Sequence, residues 1–257
     1  MFLSMRYSFF ILIVGTFPGC ILFPGETSPD FSSVKVFEVK GVTVRTDANR
    51  EILFYTSGMT IDADGAPNAY HPKDIGTDHV RNAGGPGNWW GIVTDTGNSD
   101  GEPVVQGAGD PFPGYYVSQT SLFDPQKRLI DPGRYVDANN VPYVVVPPKM
   151  LTIAELGDFA VVINRNNGNV SSAIVADVGA RNRIGEGSIA LAENLEVNAN
   201  PRNGGVDSGI VTVIFPGSGQ GFPSATIDIA QEGKKRFENW GGINRLSRTR
   251  PSLFAAP

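Results

Sequence analysis

One cysteine and two histidines among 257 residues remove whole classes of chemistry at the outset. Cys20 has no partner for a disulfide and stands where leader cleavage or acylation would claim it, so it makes a poor nucleophile. His71 and His79 lie eight positions apart with no Glu between them and no Cys nearby, which excludes a zinc site of the His-Glu-x-x-His type. Charge is also scarce, at 18% of residues with a net of -5. Without a basic stripe, nucleic acid is not an expected partner. There is no internal repeat, no Gly-x-Ser-x-Gly elbow, and no Lys-Ser/Thr ending to the glycine-rich stretch Ile214 to Gly219, which therefore reads as a strand exit turn.

Long hydrophobic runs are missing too. The apolar segment Tyr7 to Gly15 is too short to span a bilayer and, with Arg6 before it, reads as the core of an export signal over residues 1–19. Phe17-Pro18-Gly19-Cys20 is similar to the lipobox of bacterial lipoproteins, with Phe17 and Pro18 in place of the usual residues. The expectation is a secreted or cell-surface protein whose one membrane connection would be a lipid at Cys20; ordinary cleavage near this point is the alternative. Residues 20–33 read as a linker.

What the chain does have is 31 glycines and 19 prolines spread along its length, the punctuation of many short strands and long loops in one domain. Strands are expected at Val34 to Val39, Val42 to Thr46, Glu51 to Thr56, Tyr115 to Ser121, Tyr143 to Val146, Phe159 to Asn164, Ser172 to Val178 and Ile210 to Phe215. Helical spacing is confined to Ser188 to Val197 and Thr226 to Trp240. Between Gly58 and Pro113 the chain reads as loop, and so long a stretch in a folded domain usually carries function. This places a mainly β domain at residues 34–244 and a fraying tail at 245–257.

Two carboxylates stand out. Asp177 closes the apolar strand Ala173-Ile174-Val175-Ala176, and Glu186 sits between Gly185 and Gly187 nine positions later. A strand end, a turn and a helix start could set them on opposite walls of a groove, the arrangement that acid/base hydrolysis needs. The ordinary alternative is that Asp177 caps the turn at Gly179 and Glu186 stabilises the first turn of the following helix. A helix N-terminus would also lower the Glu186 pKa, where a general acid needs it raised. The run Ser57 to Pro72 gathers Asp62, Asp64, Tyr70 and His71. Its Asp-x-Asp-Gly spacing lacks the distal Glu of a calcium loop, so it reads as a turn whose side chains line a groove. Trp89, Trp90, Tyr115, Tyr116 and Trp240 stand beside glycines, a composition that suits sugar-stacking surfaces and, for at least half of them, core packing.

At these residues the chain resembles glycoside hydrolase family 75, the endo-chitosanases. The blocks that carry the likeness are Met59 to Tyr70, Gly114-Tyr115-Tyr116-Val117-Ser118, and Gly157-Asp158-Phe159-Ala160 leading to Asp177 and Gly185-Glu186-Gly187-Ser188-Ile189-Ala190-Leu191. The resemblance implies Glu186 as general acid and Asp177 as general base in an inverting mechanism, with the carboxyl groups about 6.5–9.5 Å apart to admit a water. It implies cleavage of β-1,4 linkages in chitosan or a related glucosamine polymer by a monomer without metal or organic cofactor. Asp62, Asp64, Tyr70, His71, Trp89, Tyr116 and Asp158 would contact the substrate, and the net negative charge would attract a polycation. For the fold it implies a small twisted β-barrel, the double-psi type being one form; a β-sandwich would give the same strand count. Two rival functions are a peptidoglycan-cleaving enzyme and a non-catalytic carbohydrate-binding surface module.

Overall fold

Short apolar runs separated by glycine and asparagine turns become the walls of a closed barrel in the computed structural model of this chain. The structure describes residues 30–219, 221–222 and 228–253. The expected export signal, Cys20 and residues 254–257 lie outside the described residues.

In chain order the strands are β1 (Ser33–Val39), β2 (Val42–Asp47), β3 (Leu53–Asp62), β4 (Gly84–Gly85), β5 (Asn88–Trp89), β6 (Tyr143–Val146), β7 (Phe159–Asn164), β8 (Val170–Val178), β9 (Glu186–Ser188) and β10 (Val206–Ile214). The helices are α1 (Ile189–Asn194), α2 (Ile229–Trp240) and α3 (Gly242–Thr249). Six strands close on themselves in the order β3, β10, β7, β8, β6, β9 and back to β3, while β2 and β1 extend the sheet from β3. Neighbours in the ring are antiparallel except β6 with β8 and β3 with β9. The mainly β, barrel-type fold is therefore present, and ring closure distinguishes it from a sandwich.

The β7 sequence Phe-Ala-Val-Val-Ile-Asn is buried at all six positions. That pattern arises because one face lines the barrel and the other lies under α2, so neither can be polar. The Asp228 side chain caps α2 by accepting from the Gln231 N–H at 3.0 Å. The fully buried Val44, Val146, Val175, Val211, Val213 and Ile214 belong to one continuous core, and burying a side chain of this size is worth about 1.5–3 kcal/mol.

Four expectations need correction. The strand expected at Glu51 to Thr56 runs on to Asp62, because β9 and β10 pair with its second half and extend the ladder into a stretch that reads as loop. Tyr115 to Ser121 forms no strand; its pairings are isolated bridges, Val105 with Tyr116 and Ile92 with Ser118. There are three helices among the described residues instead of two. The third begins in the body of the domain and runs into the segment expected to fray. Arg245 pins it, contacting Asp47 at 3.0 Å and Glu51 at 2.7 Å, while Trp240 Nε1 donates to the same buried Asp47 carboxylate at 3.3 Å. Composition alone does not show such partners, which lie about 200 residues earlier in sequence.

From Ala63 to Pro142 the chain leaves the barrel and returns without a long strand. Side chains hold it in place of a ladder: Gln106 Nε2 donates to the carbonyls of Pro67 and Tyr116 at 2.6 and 3.0 Å, and Thr120 Oγ1 donates to Leu122 O at 2.7 Å. Gly65 is a point where the excursion allows no side chain. Its φ is +77°, and a Cβ there would lie 2.0 Å from the Val136 carbonyl oxygen. Gly65→Ala should therefore destabilise the fold by roughly 3 kcal/mol or more, read as a lower midpoint in chemical denaturation. An unchanged midpoint would contradict the packing of this turn against Val136.

Candidate active site

Register places the two principal carboxylates. Val145 of β6 pairs with Asp177 on β8 and with Glu186 on β9. The acids thus flank one residue, their backbones two strand spacings or roughly 9–10 Å apart. A β-bulge makes this possible. Val144 pairs with Val175, yet Val145 pairs with Asp177, so Ala176 is an extra residue that re-aims Asp177 onto the face of Val145 and Glu186. The Ala176 carbonyl accepts a hydrogen bond from Leu122 N at 2.9 Å, which ties the bulge to the excursion.

Asp62, at the end of β3, pairs with Ser188 just as Thr60 pairs with Glu186. It therefore shares the face of Glu186. Asp64 comes from the start of the excursion and its carboxylate packs against Gly91, where a Cβ would lie 2.7 Å from Oδ1 and 3.0 Å from Oδ2. Asp62, Asp64 and Asp177 each bring one oxygen within 4.8 Å of the other two. Three carboxyl oxygens at that spacing could surround a small cation or an ammonium group.

Two tyrosines and a serine set the proton positions. Tyr70 OH donates to Asp64 Oδ1 at 2.6 Å. Tyr143 OH lies 2.9 Å from Asp62 Oδ2 and 2.9 Å from the Asp64 carbonyl. Its single hydrogen faces two acceptors, so the Tyr143 hydroxyl donates to one of them or is shared between both. Burial pushes the Asp62 pKa well above the usual carboxylate range and the nearby Glu186 and Asp177 charges add to it, while the hydrogen bonds from the Asp64 N–H and Tyr143 oppose it. Burial likewise raises Asp64, followed by the charges of Asp62 and Asp177.

Asp177 is held differently. Burial raises its pKa, but Ser121 donates to Oδ1 from both its backbone N–H, at 2.7 Å, and its hydroxyl, at 2.6 Å, which favours the ionised form. Glu186 is pushed up to about 7, first by burial, with Arg183 opposing and the charges of Asp177 and Asp78 reinforcing it. The conflict with a helix N-terminus does not arise. Glu186 lies on β9, two residues before the Ser188 cap of α1, and its desolvation outweighs the opposing charge. Nor does Asp177 cap the turn at Gly179, whose N–H donates to Val146 O instead. A carboxyl held near 7 beside one whose ionised form is favoured by two hydrogen bonds is an arrangement that could serve as an acid/base pair.

The other expected site residues divide. Asp62, Asp64 and Tyr70 join the cluster, with Tyr70 wholly buried. His71 is a loop residue beside it: Nδ1 accepts from Lys73 N at 3.0 Å and the ring meets Tyr115 edge-on at 4.8 Å. Trp89 is buried and packs against Tyr116 at 6.2 Å, while its neighbour Trp90 is 57% exposed. Asp158 does not face the cluster. It is fully buried and accepts from the backbone N–H groups of Glu155, Gly217, Ser218 and Gly219; an acid at a strand start next to a glycine turn satisfies local amides instead of a ligand. Ser121, Tyr143 and Asp78 are functional neighbours that sequence reasoning missed. Tyr143 opens an expected strand and so carried a placement signal, whereas Ser121 reaches Asp177 across 56 positions and carried none.

No curated protein matches the chain. The stretch that bears all of these carboxylates, residues 59–240, does match the family described as fungal chitosanase of glycosyl hydrolase group 75, and the chain belongs to that glycoside hydrolase family.

Proposed function

We propose that the protein is an exported, endo-acting hydrolase that cuts β-1,4 linkages in chitosan or a related glucosamine polymer by single displacement. Glu186 protonates the departing glycosidic oxygen. Asp177, anchored through one oxygen by Ser121, uses the other to take a proton from water on the opposite face of the sugar. The observation that carries this reading is the shared neighbour Val145, which sets the backbones of the two acids about 9–10 Å apart across the sheet and on one face of it; the mechanism needs their carboxyl groups to be far enough apart to admit a water.

The substrate preference is read from the acidic cluster. Glucosamine units are ammonium cations, and such a cation among the converging oxygens of Asp62, Asp64 and Asp177 would draw Asp62 and Asp64, which burial otherwise holds toward their neutral forms, into the ionised state, where a neutral acetamide would gain little. Asp64→Asn should flatten the preference for poorly acetylated over highly acetylated chitosan, measured by product mass spectrometry across polymers of graded acetylation. An unchanged preference would remove the cluster from recognition.

The mechanism is tested by proton NMR of the first product anomer from a β-linked oligomer. Inversion releases the α anomer first; the β anomer would point to a covalent intermediate and end the single-displacement reading. Incubation with chitosan, chitin and peptidoglycan settles the polymer, since cell-wall fragments in place of chitosan oligomers would move the activity to glycan of the cell wall.

A further inference from the structure

Of the three tryptophans, Trp89 and Trp240 are buried, and Trp90 is 57% exposed. An indole left in water forgoes most of its hydrophobic stabilisation. Yet this one is held at three points. Its backbone N–H donates to Ala83 O at 3.0 Å, its Nε1 donates to Asn82 O at 2.9 Å, and its carbonyl accepts from Gln119 Nε2 at 3.0 Å.

The anchors lead back to the carboxylates. Asn82 Nδ2 donates to both oxygens of Asp78, at 2.9 and 3.1 Å, and Asp78 is near enough to Glu186 to act on its charge. On the other side Trp90 is bonded to Gly91, the residue against which the Asp64 carboxylate packs. An anchored and largely exposed indole therefore belongs to the residue that directly precedes the glycine on which the Asp64 carboxylate packs.

We propose that Trp90 is a stacking platform for one amino-sugar ring of the polymer. A pyranose presents a flat face of C–H groups that suits an indole, and its polar substituents project around the edge. A ring lying on Trp90 keeps its ammonium and hydroxyl groups free to reach the carboxylates beside Gly91. Pinning the indole in advance lowers the ordering cost of binding. This inference rests on the polymer-cleaving reading of the same site.

The experiment separates the two. Parent protein is first assayed on chitosan, and failure to cleave it would sink the hydrolase reading. Binding of a chitosan hexamer is then measured by calorimetry and tryptophan fluorescence in the Glu186→Gln background, alone and combined with Trp90→Ala or Trp90→Phe. With the platform in place, the hexamer produces a saturable fluorescence change that disappears in both Trp90 variants. Affinity falls about tenfold with Ala and by no more than about threefold with Phe, which keeps a flat ring and loses the indole N–H. Unchanged affinity in Trp90→Ala overturns the platform while leaving hydrolysis untouched. An equal loss in Phe and Ala also overturns it, because the hydrogen bond to Asn82 would then be what matters. Thermal unfolding of each variant shows whether the fold is intact.

Discussion

Glu186→Gln should lower kcat on chitosan by about 10²- to 10⁴-fold while binding of chitosan oligomers persists. Glutamine has nearly the shape of the protonated acid and supplies no proton to a leaving oxygen. The backbone at this position is fixed from both sides by Thr60 and Val145, so the side chain can change without moving the strand. A carboxyl whose pKa is held near 7 by burial spends much of its time neutral at working pH, and exchanging it for a neutral amide adds no buried charge. Reducing-end release gives kcat, and calorimetry gives affinity. A module that merely binds would show no activity to lose, and a Glu186→Gln variant that cleaves at the parent rate would remove this residue from the chemistry.

Asp177→Asn should cost a similar factor, with a different mark on the pH profile. In the parent, the base must be ionised, and burial raises the Asp177 pKa from the ordinary value; kcat/KM therefore falls as pH drops through a value above that of a free aspartate. The acid must be protonated, so kcat/KM falls again as pH rises through about 7. The asparagine carbonyl can still accept from both Ser121 donors, which preserves position, but it cannot take the proton of the attacking water. Residual activity should keep the alkaline limb and lose the acidic one. Loss of the alkaline limb instead would mean that the two residues exchange roles.

How much of this was legible in the sequence depends on what kind of signal each residue carries. β7 and β8 announce themselves by composition, since strands buried on both faces are near-continuous Val, Ile and Ala. Asp177 at the end of one such run, and Glu186 between glycines, stand out against that background. The bulge at Ala176 does not, because one extra residue in a ladder leaves no local trace. The tryptophan pair shows the same limit. Trp89 ends β5 and is buried, Trp90 follows it at a bend and is exposed, and nothing before the fold decides which of the two faces water. The expectation that Asp158 contacts substrate comes from its place in one of the blocks that carry the family resemblance, but the loop after β10 supplies amides that claim it. Ser121 and Tyr143 act through contacts over 56 and 81 positions, and such contacts appear only when the chain closes.

The extra residue in β8 has an evolutionary corollary. With Ala176 kept but the bulge straightened, Ala176 would pair with Val145 and Asp177 with Val146, and the carboxylate would turn to the opposite side of the wall, away from Glu186. Keeping this carboxylate beside Glu186 therefore requires that the kink in the strand be preserved as well as the acid itself.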